Sequence, residues 1–239
     1  MKRREFLFGL SYLSIPNFLG DIKYIPIKEY VKKPRILIFS GHTQKNYGTK
    51  SYNNKKEILY NDDIVNRIEL IKNSDLEYIC IDSWFNIDYK KRAKFAKKIN
   101  ADFYLEIHHD SIKLNDLKMA KKKDIENLLS DFEGFSLYIH PKNFFEESYK
   151  FSELIKNYLI ENGLQLCRFY EVNKRWETIS PGIYLRNKLY ILNDAQVPTV
   201  ILECGSIKIP KEEKYLSDDE IKLKIINSIN KAFMDYFKS

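Results

Sequence analysis

Short apolar runs separated by helix-period stripes constrain this chain more than any other feature. Arg35-Ile36-Leu37-Ile38-Phe39 shows no polar alternation, so it reads as a strand covered on both faces. Segments 76–81, 103–107 and 134–139, and Thr199 to Leu202, read as further strands. Between them lie helical stripes. Tyr60, Ile64, Ile68 and Ile71 share one side of a helix, 89–100 reads as a second helix with its Lys and Arg facing water, and Phe151, Leu154, Ile155, Tyr158 and Leu159 follow i, i+3, i+4, i+7, i+8. Ser217 and Glu220 have capping-box spacing ahead of a last stripe, Ile225, Ile229, Phe233 and Tyr236. Strands alternating with helices imply an α/β fold with a mostly parallel central sheet and helices on both faces. A polar stretch, 113–133, is expected to be a surface helix or lid.

The chain has 239 residues, one domain of ordinary size plus a short appendage. Only 8 Gly and 7 Pro occur, which excludes collagen-like and low-complexity classes. A net charge of +7 favours acidic partners, among them nucleic acid, anionic lipid and wall polymer. The lysines are scattered at helix-surface spacing and carry no nucleic-acid motif, so no nucleic-acid partner is expected. Cys80, Cys167 and Cys204 lack CxxC spacing and are too few for a disulfide framework, which argues against a cysteine-held zinc.

The first twenty residues are written differently. Lys2, Arg3 and Arg4 precede an apolar stretch from Phe6 to Ile15, too short to span a bilayer and suited to a signal-peptide core. Arg3-Arg4-Glu5-Phe6-Leu7 resembles a twin-arginine export signal, although Lys2 stands where Ser or Thr is usual and no A-x-A cleavage site follows. The expected organisation is therefore an export signal over 1–20, a linker over 21–33 and a catalytic domain over 34–239, acting in the periplasm or cell envelope. No membrane span is expected beyond an uncleaved N-terminus.

In parallel sheets ligands bind outside the carboxyl ends of the strands. His42 follows the first strand, His108 ends the third, Glu203 ends the late strand and Glu57 opens the first helix on its sheet-facing side. Two His and one Glu form a known catalytic zinc set. His108 and His109 point to opposite faces of a strand, so one of them at most reaches a given metal. Glu106 shares the face of His108, as a supporting carboxylate or a salt-bridged strand residue. His140 also ends a strand, with nothing to pair with it. Composition and spacing stop at a metal hydrolase as one candidate.

Four ordered motifs resemble the zinc-dependent N-acetylmuramoyl-L-alanine amidases of the type 3 family, from Arg35 to the C-terminus. They are the strand-Gly-His of Ile36 to His42, Glu57 to Asn61 at the helix start, the stretch from Arg92 through Ala96, Asn100 and Asp102 to Glu106 and His108, and Val197-Pro198 through Glu203 to Gly205. Thr43-Gln44 stands where the family usually has a Gly pair, His109-Asp110-Ser111 where Ala-Asn is frequent, and Ser206 where Phe is common. The resemblance implies zinc held by His42, Glu57 and His108, with Glu203 as the catalytic carboxylate. It implies hydrolysis of the amide between N-acetylmuramic acid and L-alanine of the peptidoglycan stem peptide. Two other readings stand beside it: a zinc amidohydrolase of a small N-acyl amino acid, and a non-catalytic module that binds wall polymer or regulates an amidase. A protein activator is a further partner to consider.

Overall fold

A computed structural model describes residues 32–71, 73–111, 125–172 and 176–238. The export-like segment, the linker up to residue 31 and most of the polar stretch from 113 lie outside the described residues. Chain order gives β1 (Arg35–Ser40), α1 (Glu57–Glu69), β2 (Glu77–Ile81), α2 (Tyr89–Lys98), β3 (Phe103–Asp110), α3 (Ile125–Phe132), β4 (Ser136–Ile139) and α4 (Phe145–Glu161). There follow α5 (Phe169–Val172), β5 (Thr178–Ser180), β6 (Ile183–Leu185), α6 (Tyr190–Asn193), β7 (Thr199–Ser206), α7 (Pro210–Ser217) and α8 (Asp219–Lys238). A short 3-10 turn, Ser83–Phe85, links β2 to α2.

The strands form one seven-stranded sheet in the order β2-β1-β3-β7-β4-β6-β5. The first four run parallel. β4 then pairs antiparallel with β7 and parallel with β6, and β5 closes the edge antiparallel to β6. The mostly parallel α/β architecture expected from the sequence is therefore present, with reversals at β7–β4 and β6–β5. Alternation along each strand divides the core. Ile36, Ile38, Phe103, Leu105 and Ile107 meet Ile64, Ile68, Phe151 and Phe233 on the α1–α4–α8 face. Leu37, Phe39 and Tyr104 meet Ala96 and Ile191 on the other. Ala93 and Ala96 let α2 lie close to the sheet, while Lys90, Lys91, Lys94, Lys97 and Lys98 stay exposed. The basic residues of this helix are a solvated face.

Three local expectations are corrected. Ile71 lies beyond α1, which ends at Glu69. Ser217 does not open the last helix: it is the final residue of α7, and its hydroxyl donates to the Glu213 carbonyl at 2.7 Å. Asp218 caps α8 instead, accepting from the Glu220 amide at 2.8 Å. The hairpin of β5 and β6 has no counterpart in the sequence reading. The three thiols are free, and burial pushes Cys80 up to about 12 and the other two higher still.

Candidate active site

β1, β3 and β7 all end on one side of the sheet, and the polar residues near those ends converge there, although β3 and β7 run on past His108 and Glu203 to Asp110 and Ser206 rather than ending at them. His108 and Glu203 are direct register partners on neighbouring parallel strands, so the ladder itself turns both side chains to the same face. His42 lies two residues past β1. Glu57 is the first residue of α1 and is buried. Its Oε2 accepts from the Thr49 amide at 3.0 Å. Its Oε1 lies 3.0 Å from His42 Nε2 and 3.2 Å from His108 Nδ1. Ligand atoms of His42, Glu57 and His108 all lie within 4.8 Å of one another.

The surroundings orient each of these groups. The Tyr89 hydroxyl is 2.9 Å from His42 Nδ1, leaving Nε2 turned to Glu57. Glu106, on the face of His108 as expected, is 3.4 Å from His108 Nε2. Arg92 ties this layer together. Its guanidinium is buried, donates to the Ser40 carbonyl at 2.9 Å and to Glu106 at 2.5 Å, and reaches the His42 carbonyl. That last bond holds His42 at φ 68°, a left-handed conformation that costs a non-glycine residue about 1–2 kcal/mol. Asn61 donates to Glu57 Oε1 at 3.3 Å and lies 2.7 Å from His109 Nδ1. His109 is therefore turned toward α1, away from His108, as strand alternation requires, and burial lowers its pKa to about 3.

The residues present fit a divalent metal. Two imidazoles and one carboxylate are a borderline-soft donor set suited to zinc. The second nitrogen of each imidazole is engaged by Tyr89 or Glu106, the support a ligating His normally has. The roof over the cluster is bare backbone. A Cβ on Gly48, at φ 75°, would fall 2.5 Å from His42 Cδ2, and one on Gly41 would fall 2.5 Å from His108 Nε2. Among the described residues this is the cluster of three or more His, Cys, Asp or Glu able to hold an ion.

The charges are strongly coupled. Burial opposes ionisation of Glu57, yet the hydrogen bonds from His108 and His42 hold its carboxylate far below the usual range. Burial also opposes a charged His108, and bonds to Glu106 and Glu57 outweigh it, raising His108 well above its ordinary value. Glu203 goes the other way. Burial raises its carboxyl well above 4.5, the Asp110 carboxylate raises it further, and His108 only partly offsets them. Its buried Oε2 has no hydrogen-bond partner among the described residues.

Glu203, His108 and His42 form one end of a cleft of ≈ 460 Å³. Much of the rest of its wall comes from groups the sequence reading did not single out, such as Tyr138, Tyr170, Trp176 and Arg186. Asp110 accepts from Tyr170 at 2.6 Å and Tyr138 at 3.3 Å, and burial raises its carboxyl to about 6. Trp176 stacks on Tyr170 at 3.5 Å and lies under Arg186, whose guanidinium carbon is 3.6 Å from the ring centroid. Asp110 was at least marked by its place after His108-His109. Arg186 follows a three-residue strand too short to show a period, so the strand-end rule had nothing to act on. His140 stands outside the cluster, with its Nδ1 accepting from the Lys142 and Asn143 amides.

Fold and site together define an α/β domain with a candidate His-Glu-His metal centre at the carboxyl ends of parallel strands. Residues 36–234 match the model of the Amidase_3 family, N-acetylmuramoyl-L-alanine amidase, and the chain belongs to that family. A protein of Buchnera aphidicola subsp. Acyrthosiphon pisum (strain APS), provisionally named an N-acetylmuramoyl-L-alanine amidase, is 26% identical over 227 residues, covering 86% of this chain and 95% of the relative. The catalytic domain of CwlV, an N-acetylmuramoyl-L-alanine amidase from Bacillus (Paenibacillus) polymyxa var. colistinus, shares the fold. Its TM-score is 0.65 at 20% identity, covering 86% of this chain and 98% of that one. The CwlD amidase from Clostridioides difficile, solved in complex with the GerS lipoprotein, superposes with a TM-score of 0.59 at 20% identity over 86% of this chain and 99% of that one.

Proposed function

We propose that the protein hydrolyses the amide joining the lactyl group of N-acetylmuramic acid to L-alanine of the peptidoglycan stem peptide. His42, Glu57 and His108 would hold a zinc ion, and Glu203 is the proton-transferring carboxylate. The observation that carries this reading is the meeting of three ligand atoms within 4.8 Å, next to a carboxylate set in register with His108.

An amide is a poor electrophile because resonance stabilises it. Zinc, when bound by the three ligands, would supply a Lewis acid for the scissile carbonyl and the attacking water. The remaining work belongs to the chain. Glu203 Oε2, unpartnered at the cleft wall, accepts the proton of the attacking water and passes it to the departing L-alanine nitrogen. Burial beside Asp110 raises the carboxyl of Glu203, which makes it competent as the acid in the second step. Arg92 and Tyr89 keep His42 aimed while this happens. The aromatic wall of Tyr138, Tyr170 and Trp176 narrows the cleft around the leaving peptide.

The twin-arginine-like start supports action in the periplasm or cell envelope, and the basic surface suits an anionic wall. Among the described residues no helix is long and apolar enough to cross a membrane. The CwlD–GerS pairing of a fold relative supports looking for a protein activator. The test is mass spectrometry of purified peptidoglycan after incubation with the zinc-loaded protein. Release of stem peptides with a free L-alanine amino terminus, abolished by a chelator, is the expected result. Turnover of small N-acyl amino acids with peptidoglycan left intact would favour the small-substrate hydrolase. Binding of wall polymer without any turnover would favour the non-catalytic module.

A further inference from the structure

Arg186 is the cleft residue that the chemistry above leaves unused. Its amide anchors to the Ile139 carbonyl at 2.8 Å, which fixes the start of the side chain. Its guanidinium lies 3.6 Å above the Trp176 ring and 5.5 Å from that of Tyr138. Stacking pre-orients the planar fork and leaves its edge free for hydrogen bonding. That edge is not satisfied from within: Nη1 is buried and has no hydrogen-bond partner among the described residues. A buried, charged donor left without an acceptor is costly, so it calls for a ligand that supplies one.

We propose that Arg186, held flat on Trp176, binds a carboxylate of the stem peptide on the residue that follows the scissile L-alanine. The inference rests on the amidase reading for its substrate. Arg186 and Glu203 line one cleft. Tyr138, which the guanidinium overlies, is the register partner of Ile201, two residues before Glu203. Two residues of strand span about 6.6 Å. On the substrate, consecutive Cα atoms are about 3.8 Å apart, which puts a carboxylate on the second residue some 6–8 Å from the bond being cut. The cleft wall beside Arg186 also carries Lys188, so this end is cationic while the Glu203 end is acidic. A peptide whose amine leaves at Glu203 and whose carboxylate reaches Arg186 matches both ends.

The test uses two muramyl dipeptides, one with a free carboxylate on the second residue and one with that group as a carboxamide. The full-length zinc-loaded protein should favour the carboxylate by about 10–100-fold in kcat/KM, the range of a charge-assisted hydrogen bond. Arg186→Met should erase the preference by raising KM for the carboxylate substrate more than for the carboxamide. Arg186→Lys should restore part of it. A merely structural role would lower both substrates alike. Calorimetric binding of the two released peptides is read in parallel. Cleavage of both substrates with the same preference in Arg186→Met overturns the inference and leaves the amidase reading standing. Tighter, Arg186-dependent binding of the acidic peptide without cleavage keeps the carboxylate site and removes the amidase reading. Equal binding of acid and amide by the unaltered protein overturns the inference.

Discussion

The two halves of the sheet solve different problems. β2, β1, β3 and β7 run parallel, β1, β3 and β7 are largely buried, and they place His42 just past β1 and His108 and Glu203 near the carboxyl ends of β3 and β7. β4 and β6 reverse direction and β5 reverses again; these strands are three or four residues long, and with α5 and the segment at Trp176 they frame a wall of aromatic rings with Arg186 on top. On the proposed reading, the first half sets reacting groups against one another through the backbone ladder and the second sets a surface against the substrate through side chains. Chemistry and selectivity would then be carried by different parts of one sheet.

Substitutions can break this division or sharpen it. The largest effects belong to the parallel half. Glu203→Gln should lower turnover by about 10²–10⁴-fold while zinc content, read by atomic emission, stays at one per chain. His42→Ala should lose the metal itself, so the pair separates ligand from proton carrier. A Glu203→Gln variant of full activity would sink the assignment of that residue. Next comes Arg92→Met, which strands Glu106 as a buried charge and should cost about 3–5 kcal/mol in urea unfolding.

At the junction of the halves sits Glu212, whose Oε1 accepts from the Gly134 amide at 2.5 Å just ahead of β4. Burial raises its carboxyl to about 8 from 4.5. Between those values the unfolded chain gives up a proton that the folded chain keeps, so stability falls as pH rises from 4.5 and levels off above 8. Glu212→Gln should flatten that fall, with urea midpoints near the parent at pH 4.5 and above it at pH 9. The smallest effect is expected in the wall. Tyr170→Phe removes a hydrogen bond to Asp110 and should cost about 0.5–1.5 kcal/mol, with the zinc content untouched. If Tyr170→Phe lost zinc, the two halves would not be separable.

Legibility from sequence follows the same divide. Arg35 to Phe39 and Thr199 to Leu202 announce themselves because a strand buried on both faces is a continuous apolar run. The strand-end rule then points to His42, His108 and Glu203, and the sheet-facing start of the first helix points to Glu57. The mixed half stays hidden because Thr178–Ser180 and Ile183–Leu185 are too short for any period to show. Tyr138, Tyr170 and Trp176 look like core aromatics in a sequence, and much of their surface is indeed packed on other rings. Ser217 misled for a related reason. Its spacing to Glu220 fits a capping box, but Pro210 had already begun a helix that runs through it.

The pairing of His108 with Glu203 across β3 and β7 carries a consequence for how such a protein can change. A one-residue slip would flip both residues to the far face, so the backbone either keeps the pair intact or destroys it. β4 shares that constraint, because Ser136 is the register partner of Glu203 on the other side of β7, whereas the short strands β6 and β5 lie beyond it. Transplanting the segment from Thr178 to Arg186 out of a relative should therefore exchange substrate preference while the hydrolytic machinery proposed above comes through unaltered. One backbone register thus fixes the candidate site, while β6 and β5 are free to vary beside it.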